Sequence, residues 1–147
     1  MASLDRYIAT QASQDMQRKA NAVFVLVPQI APSRIAGYFT LCASALSPGD
    51  IPDAVRKRLP RYPLVSTTLI GRLAVDTEYQ GRGVGALLLA RALRLAYGNA
   101  DVVGSSMVVV DAMDASAAKF YAAHGFLRLV DSNRLILPMQ VLASLLR

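Results

Sequence analysis

The fold is decided by the stretch Leu73-Ala74-Val75-Asp76-Thr77-Glu78-Tyr79-Gln80-Gly81-Arg82-Gly83-Val84-Gly85. It predicts a strand, a turn and a glycine-spaced loop that opens a long helix. The first turn of a helix carries backbone N–H groups without helical partners, and the helix dipole adds partial positive charge there. Glycines at 81, 83 and 85 let the backbone approach a bulky anion, and Arg82 adds a full charge. The stretch therefore predicts a pyrophosphate-binding site.

Two other phosphate-binding loops do not fit this stretch. The Walker loop ends in Gly-Lys-Ser/Thr, and no such ending follows Gly85. A dinucleotide-binding fold requires the spacing GxGxxG after an early strand, with an acidic residue about 20 residues later. Here the spacing is GxGxG, late in the chain, and Asp101 lies in a predicted loop. Taken alone, the glycines are also compatible with a purely structural role in tight packing.

The patterns on either side of the loop predict one mixed α/β domain over residues 1–147. Helices are expected at 53–59, at 84–97 with Gly98 as C-cap, at 115–124 and at 139–146. Another helix, marked by Leu4, Ile8 and Ala12, is expected near the N-terminus. We expect Leu87, with Val84, Leu88 and Leu95, on the apolar face of the helix at 84–97. Strands are predicted at 22–27 (a buried strand), 35–45, 64–75, 105–111, 126–129 and 135–137, and a turn at Pro32-Ser33.

Composition points towards a partner. Charged residues make up 18% of the chain, against about 25% in typical domains. So few charges indicate a covered apolar surface, for which a homodimer interface is the usual reason. The net charge is +6, and 13 of the 16 basic residues are arginine, whose planar fork suits phosphate. This excess favours nucleic acid, a phosphate-rich cofactor or an acidic protein as partner, although it would also serve solubility alone.

Several classes of protein are excluded by residue counts. Cys42 is the single cysteine, so neither an intramolecular disulfide nor a two-cysteine metal motif is possible. His124 is the single histidine, and no metal site is expected. The longest apolar runs, at 86–92 and 107–110, are shorter than the ~18 residues of a membrane span. Residues 1–18 lack the apolar stretch of a signal peptide. We therefore expect a cytoplasmic protein that neither spans nor binds a membrane.

Two motifs resemble those of the GNAT acetyltransferases. The first is Gln80-x-x-Gly83-x-Gly85 with the strand before it. The second is Val110-Asp111-Ala112-Met113-Asp114-Ala115-Ser116-Ala117-Ala118-Lys119-Phe120-Tyr121-Ala122-Ala123-His124-Gly125-Phe126. They follow in the family's order and separation and cover about a third of the chain. The resemblance implies a central, splayed, mostly antiparallel sheet flanked by helices, with acetyl-CoA as co-substrate and no metal.

Three further segments narrow the resemblance to the GNAT toxins of bacterial toxin–antitoxin pairs: Gly37-Tyr38-Phe39-Thr40-Leu41, Leu59-Pro60-Arg61-Tyr62-Pro63 and Ile70-Gly71-Arg72-Leu73-Ala74-Val75. With these it extends over most of residues 2–137. It implies acetylation of the free α-amine of aminoacyl-tRNA, inhibition of translation, and neutralisation by a ribbon-helix-helix antitoxin. These toxins usually begin with a strand before the helix that here starts at Ser3-Leu4-Asp5, and we expect the domain to lack that strand.

The resemblance also implies site residues. Backbone N–H groups of Leu73–Val75 would hold the pantetheine arm and the acetyl carbonyl. Asp114 would reach a pantetheine amide, although its position equally predicts a helix N-cap. The full set implied for coenzyme binding is Leu73, Ala74, Val75, Gln80, Gly81, Arg82, Gly83, Val84, Gly85, Ala86, Asp114 and Phe120.

Tyr121 is the catalytic residue that the resemblance implies, as the acid that protonates the departing thiolate. A phenol with a pKa near 10 suits this step; the alternative is a core aromatic beside Phe120. A general base is harder to assign. Glu78 is the single glutamate and precedes the loop, while His124 is expected at a helix end. Deprotonation by water or by backbone carbonyls suits an aminoacyl ester, whose α-amine is more acidic than a lysine side chain.

Basic residues are the candidates for tRNA phosphate contact. They are Arg18, Lys19, Arg56, Lys57, Arg58, Arg61 and Arg72. The same residues would also suit a solvated surface or the acidic tail of an antitoxin. Two other functions stay open: a GNAT enzyme acting on a small amine or a protein N-terminus, and a non-catalytic acetyl-CoA-binding module.

Overall fold

The computed structural model describes residues 14, 18, 21–30, 34–59 and 61–146. The predicted N-terminal helix, the turn at Pro32-Ser33 and Lys19 lie outside these residues. The strands are β1 Ala22–Leu26, β2 Gly37–Leu46, β3 Val65–Val75, β4 Met107–Asp111, β5 Leu127–Arg128 and β6 Arg134–Pro138. The α-helices within the described ranges are α1 Asp53–Arg56, α2 Val84–Val103, α3 Ala115–Ala123 and α4 Met139–Leu145, with short 3-10 helices at Pro48–Asp50 and Thr77–Tyr79.

The six strands form one sheet in the order β1-β2-β3-β4-β6-β5. β1 pairs antiparallel with β2, with Phe24 opposite Phe39. β6 pairs antiparallel with both β4 and β5. Helices follow β3, β4 and β6 in the chain, and the predicted mixed α/β class is confirmed.

The described residues up to 42, together with residues 70–93, form one compact unit. Within this unit, β2, β3 and α2 come close together at Gly37 on β2. A Cβ added there would lie 2.7 Å from Leu88 Cδ1 and 2.8 Å from the Ala74 carbonyl oxygen. Only a glycine lets β2, the end of β3 and the first part of α2 pack this tightly.

The prediction that residues 22–27 form a buried strand is wrong in one respect. β1 forms, but it lies at the edge of the sheet, and Val25 is 50% exposed. A continuous apolar run indicates a strand without indicating how many neighbours cover it. The stacked rings of Phe24 and Phe39, with centroids 5.0 Å apart, attach β1 to β2.

Residues 43–69 and 94–147 form the second unit. Its core is centred on β4 and β6, and its buried members are Leu46, Ile51, Val65, Met107, Val109, Leu129 and Ile136. The prediction of a buried strand within 105–111 is confirmed, since Met107 and Val108 are fully buried. The chain divides into two compact units, and the prediction that residues 1–147 form one domain stays a prediction.

The predicted ends of two helices are wrong. α2 continues through Gly98 to Val103, and a left-handed Gly104 follows it (φ +69°). Gly98 costs only about 1 kcal/mol in a helix, and the buried Ala96 and Ala100 on either side hold this turn against the core. Asp101 consequently lies in the helix and not in a loop. α1 ends at Arg56 instead of residue 59.

The predicted apolar face of α2 is also partly wrong. Leu87 is 49% exposed, although the sequence pattern groups it with Leu88 on the apolar face. The buried face is made by Leu88, Leu89, Ala92, Leu93 and Ala96. Leu87 lies one and two turns before the exposed Arg91 and Arg94, on the same side of the helix.

The described ranges hold neither a membrane-spanning helix nor a metal-binding cluster. Among the described ranges, none of the helices is long and apolar enough to cross a membrane. Within those same ranges, no three His, Cys, Asp or Glu side chains are grouped to hold a metal ion.

Candidate functional site

The predicted phosphate loop begins with a capped turn after β3. The Asp76 carboxylate accepts a hydrogen bond from the Glu78 backbone N–H at 3.0 Å, which caps the 3-10 helix Thr77–Tyr79. The Gln80 side chain then donates from Nε2 to the Val75 carbonyl at 3.3 Å. In addition, the Asp76 N–H donates to the Ala36 carbonyl at 2.8 Å. These bonds fix the path of the chain from β3 into the loop.

Two glycines give the loop its shape. Gly81 and Gly83 both have φ of +77°, a left-handed conformation that other residues rarely adopt. A Cβ added at either glycine would meet no atom within 4 Å. The glycines are therefore required by backbone conformation and not by packing, and the space beside them is open. This geometry removes the alternative that these two glycines serve tight packing.

The start of α2 supplies backbone donors that have no partner within the helix. The first helical bond runs from the Leu87 N–H to the Gly83 carbonyl at 3.1 Å. The N–H groups of residues 83–86 precede it, in the turn that has no helical acceptors. Gly85 belongs to this turn with an ordinary helical conformation, unlike the other two glycines of the motif.

Charged side chains surround Tyr79 at the entrance of the loop. The Arg82 guanidinium carbon lies 5.5 Å from the centroid of the Tyr79 ring, and that of Arg34 lies 5.6 Å from it. Arg34 Nη2 is also 2.6 Å from Glu78 Oε2 and 3.7 Å from Asp76 Oδ2. The hydrogen bond to Glu78 is the main cause that raises the pKa of Arg34. Sequence reasoning missed Arg34, because no local motif marks an ion pair between residues 44 positions apart.

The first unit thus contains most of the residues predicted to bind the coenzyme. Leu73, Ala74 and Val75 form the half-buried end of β3. The range Gln80–Ala86 follows as the loop and the first turn of α2. Asp114 and Phe120 belong to the second unit.

Asp114 caps α3. Its Oδ1 accepts a hydrogen bond from the Ala117 N–H at 2.8 Å, and its carbonyl accepts one from Ala118 at 3.0 Å. The N-cap interpretation of Asp114 is therefore confirmed, and its contact with the coenzyme stays a prediction. The cap sets the start of the helix that carries Tyr121 two turns later.

Tyr121 is buried among aromatic rings. Its side chain is 8% exposed, and its ring centroid lies 5.3 Å from that of Phe120 and 5.5 Å from that of Phe126, both edge-on. Burial raises the pKa of Tyr121 to about 12. The phenol therefore keeps its proton at neutral pH, and burial also makes it a weaker proton donor to a thiolate than an ordinary phenol with a pKa near 10. The structure shows that Tyr121 packs as a core aromatic, and this packing is compatible with an acid role.

The two residues considered as general bases both make structural contacts. His124 follows α3, where its Nδ1 lies 2.8 Å from the Phe120 carbonyl and its ring lies 4.7 Å from the Phe120 ring. This is the helix-terminal position predicted for it. Glu78 is paired with Arg34. The ion pair makes Glu78 unsuited to take a proton from a substrate, whereas the His124 contact engages Nδ1 alone and orients the ring.

The predicted tRNA-binding residues fall into separate groups. Arg56, Lys57 and Arg58 are exposed at the end of α1, with Arg61 shortly after, and all belong to the second unit. Arg56 forms an ion pair with Asp53 one helical turn earlier. Arg18 and Arg72 belong to the first unit, where the Arg72 N–H donates to Thr40 Oγ1 at 3.0 Å.

Comparison with known proteins identifies relatives of the chain. Residues 34–128 match the family described as the acetyltransferase (GNAT) domain. Over 124 residues the chain is 32% identical to the tRNA-acetylating toxin of Mycobacterium tuberculosis (strain ATCC 25618 / H37Rv), which is 84% of this chain and 72% of that protein.

Two solved structures are similar to the whole fold. The toxin AtaT complexed with acetyl-methionyl-tRNAfMet has a TM-score of 0.92 at 27% identity, covering 100% of this chain and 88% of that one. A tyrosine-to-phenylalanine variant of AtaT, bound to the C-terminus of the antitoxin AtaR and to acetyl-CoA, has a TM-score of 0.82 at 26% identity, covering 99% and 85%. The resemblance predicted from the two motifs is confirmed.

Proposed function

Because the chain belongs to the GNAT acetyltransferase family, we propose that it is a toxin that transfers acetyl from acetyl-CoA to the α-amine of aminoacyl-tRNA and so inhibits translation. The observation that supports acetyl-CoA binding is the open loop before α2, in which Gly81 and Gly83 are left-handed. The similarity to a tRNA-acetylating toxin supports aminoacyl-tRNA as the acetyl acceptor.

In this proposal the loop holds the pyrophosphate of acetyl-CoA. The N–H groups of residues 83–86 donate to its oxygens, and Arg82 supplies a full positive charge. The main chain of Leu73–Val75 holds the pantetheine arm and donates to the acetyl oxygen as negative charge develops there. Asp114 and Phe120 complete the predicted set.

The chemical step is an acyl transfer. The neutral α-amine attacks the acetyl carbonyl carbon, the C–S bond breaks, and the electron pair leaves with sulfur. Tyr121 donates its proton to that thiolate, giving free coenzyme A, and solvent then reprotonates the phenol. The new amide nitrogen loses its extra proton to water. Atoms and charge balance without a metal ion.

The basic side chains are assigned to the tRNA backbone. The exposed residues 56–58 and 61 present several cations within one short segment, and phosphate contacts of this kind contribute most of the non-specific affinity for nucleic acid. Arg18, Lys19 and Arg72 are included in the same proposal. We further propose a homodimer and a ribbon-helix-helix antitoxin as protein partners, and the cytoplasm as the place of action.

The direct test is acetyl transfer from labelled acetyl-CoA to purified aminoacyl-tRNA. Uncharged tRNA, basic peptides and polyamines serve as comparison acceptors. Label on aminoacyl-tRNA, absent from uncharged tRNA, would support the function. Label on peptides or polyamines with none on aminoacyl-tRNA would refute it and favour the small-amine alternative. Failure to bind acetyl-CoA at all would refute both.

A further inference from the structure

Two carboxylates stand immediately before the phosphate loop. Asp76 and Glu78 precede Gly81 by five and three residues, and a hydrogen bond from Glu78 N–H to Asp76 Oδ1 holds the turn that carries both. Negative charges at this position repel a pyrophosphate held by residues 81–86. Unless they are neutralised, they offset the attraction that the helix terminus and Arg82 provide.

Arg34 is the cation that contacts both of them. Its Nη2 lies 2.6 Å from Glu78 Oε2 and 3.7 Å from Asp76 Oδ2. It comes from the segment before β2, which is attached to the same turn by the bond from the Asp76 N–H to the Ala36 carbonyl. The position of Arg34 is thus set by the backbone as well as by charge.

The ring of Tyr79 lies close to both guanidinium groups. Arg34 and Arg82 lie over it at 5.6 Å and 5.5 Å from its centroid, within the range of a cation–π contact. Arg34 contacts the carboxylates, whereas Arg82 makes no ion pair within the described part of the chain. One arginine is therefore engaged by Asp76 and Glu78, and the other keeps its charge for the ligand.

We propose that Arg34 is a positioning residue for the coenzyme site, which neutralises Asp76 and Glu78 so that the loop retains its attraction for the phosphates of acetyl-CoA. This inference rests on the proposed function, since it assumes that the loop binds acetyl-CoA. Arg34 acts through the two carboxylates and does not touch the reacting atoms. Its contribution is electrostatic, so it depends on Glu78 and on salt.

The experiment is a double-mutant cycle read by calorimetry of acetyl-CoA binding to the full chain. Arg34→Gln exposes the carboxylates and should weaken binding about 2- to 5-fold at about 0.05 M salt, the upper range of surface electrostatic contacts. Glu78→Gln alone should leave affinity equal or slightly higher. In the Glu78→Gln background, Arg34→Gln should have less than half of its effect, because most of the repulsion has been removed.

Salt and charge reversal provide readouts that a packing role would not change. At about 0.5 M salt the Debye length is roughly 4 Å, and the ratio between wild type and Arg34→Gln should fall below about 2-fold. Arg34→Glu should bind more weakly than Arg34→Gln, and adding Glu78→Arg should restore affinity. Arg91→Gln removes an exposed arginine of α2 in the same unit, and it should bind acetyl-CoA like the wild type.

Each other outcome overturns the inference. An unchanged affinity in Arg34→Gln means that the carboxylates do not repel the ligand. An equal loss in both Glu78 backgrounds and at both salt concentrations means that Arg34 contacts the ligand directly or supports the fold, and thermal melting separates these two. A wild-type chain that fails to bind acetyl-CoA refutes the proposed function itself, which the wild-type titration reveals before any variant is compared.

Discussion

Replacing Gly83 separates backbone strain from charge at the loop. Gly83 has φ of +77°, and an added Cβ would meet no atom within 4 Å. Gly83→Ala therefore introduces strain without a clash, and the left-handed backbone costs an ordinary residue roughly 1–2 kcal/mol. The free energy of unfolding should fall by that amount. Gly83→Gln and Gly83→Glu carry the same strain, and the carboxylate regains about 0.3–1 kcal/mol from the helix dipole.

The effect on the ligand has the opposite order. In Gly83→Glu a carboxylate occupies the position proposed for the pyrophosphate, so acetyl-CoA affinity should fall at least about tenfold, or ~1.4 kcal/mol. Gly83→Gln has nearly the same shape without the charge, and it should bind more tightly than Gly83→Glu. The difference between these two variants measures the electrostatic contribution, whereas Gly83→Ala measures the strain.

The assay is calorimetric titration with acetyl-CoA, accompanied by a thermal melt of each variant. If Gly83→Glu were the most stable of the three variants and the weakest binder, the anion site would be supported. Wild-type affinity in both Gly83→Glu and Gly83→Gln would refute the assignment of the loop. Equal losses in these two variants would show that bulk and not charge is responsible.

Other described side chains give four more predictions. Tyr121→Phe should keep acetyl-CoA affinity and lower turnover by about 10²–10⁴; normal turnover would leave Tyr121 a packing residue only. Because burial raises the pKa of Tyr121 to about 12, the folded state holds a proton that the unfolded chain releases above about pH 10. The free energy of unfolding should therefore be unaffected by this group below about pH 10 and should fall by up to about 3 kcal/mol as the pH rises to about 12. Denaturant titrations of Tyr121→Phe should lack this loss. Thr67 is 3% exposed, and its hydroxyl has no hydrogen-bond partner among the described residues, so Thr67→Val should raise the free energy of unfolding by about 1 kcal/mol. Thr40→Val should lower the free energy of unfolding, since the Thr40 hydroxyl accepts a hydrogen bond from the Arg72 backbone N–H. The opposite order of the two variants would contradict the assignment. Replacing residues 56–58 by alanine should flatten the fall of tRNA affinity with salt, by about 0.7–0.9 in log–log slope for each phosphate that is no longer neutralised, without altering acetyl-CoA binding; an unchanged slope in filter binding would remove these residues from the tRNA surface.

The elements nearest the loop were predictable because several local signals coincide there. β3 and α3 agree with the predicted ranges to within one residue, since apolar runs, turn residues and caps mark the same boundaries. The predicted end of α2 depended on a single residue, and it was wrong. The sequence predicts that Gly98 ends the helix, but the buried alanines around it outweigh its low helix propensity.

The site was predictable as far as it is encoded locally. The left-handed glycines and the cap at Asp114 follow from residues close together in the chain. The burial of Tyr121 was not predictable, because the sequence does not show which rings surround it. Arg34 was missed because its partners are 42 and 44 residues away in the sequence. Long-range ion pairs leave no periodic signal from which they can be predicted.

The burial of Tyr121 has a consequence for how the proposed reaction responds to its surroundings. With a pKa of about 12, the phenol is fully protonated in every molecule from acidic to mildly alkaline conditions. No fraction of the enzyme is lost to the wrong protonation state when the cell acidifies or becomes alkaline. The amine acceptor has no such protection, since it reacts only in its neutral form. Aromatic packing thus widens the pH range in which the phenol stays protonated, from below about 10 to below about 12, and the acceptor's own acidity governs the amine.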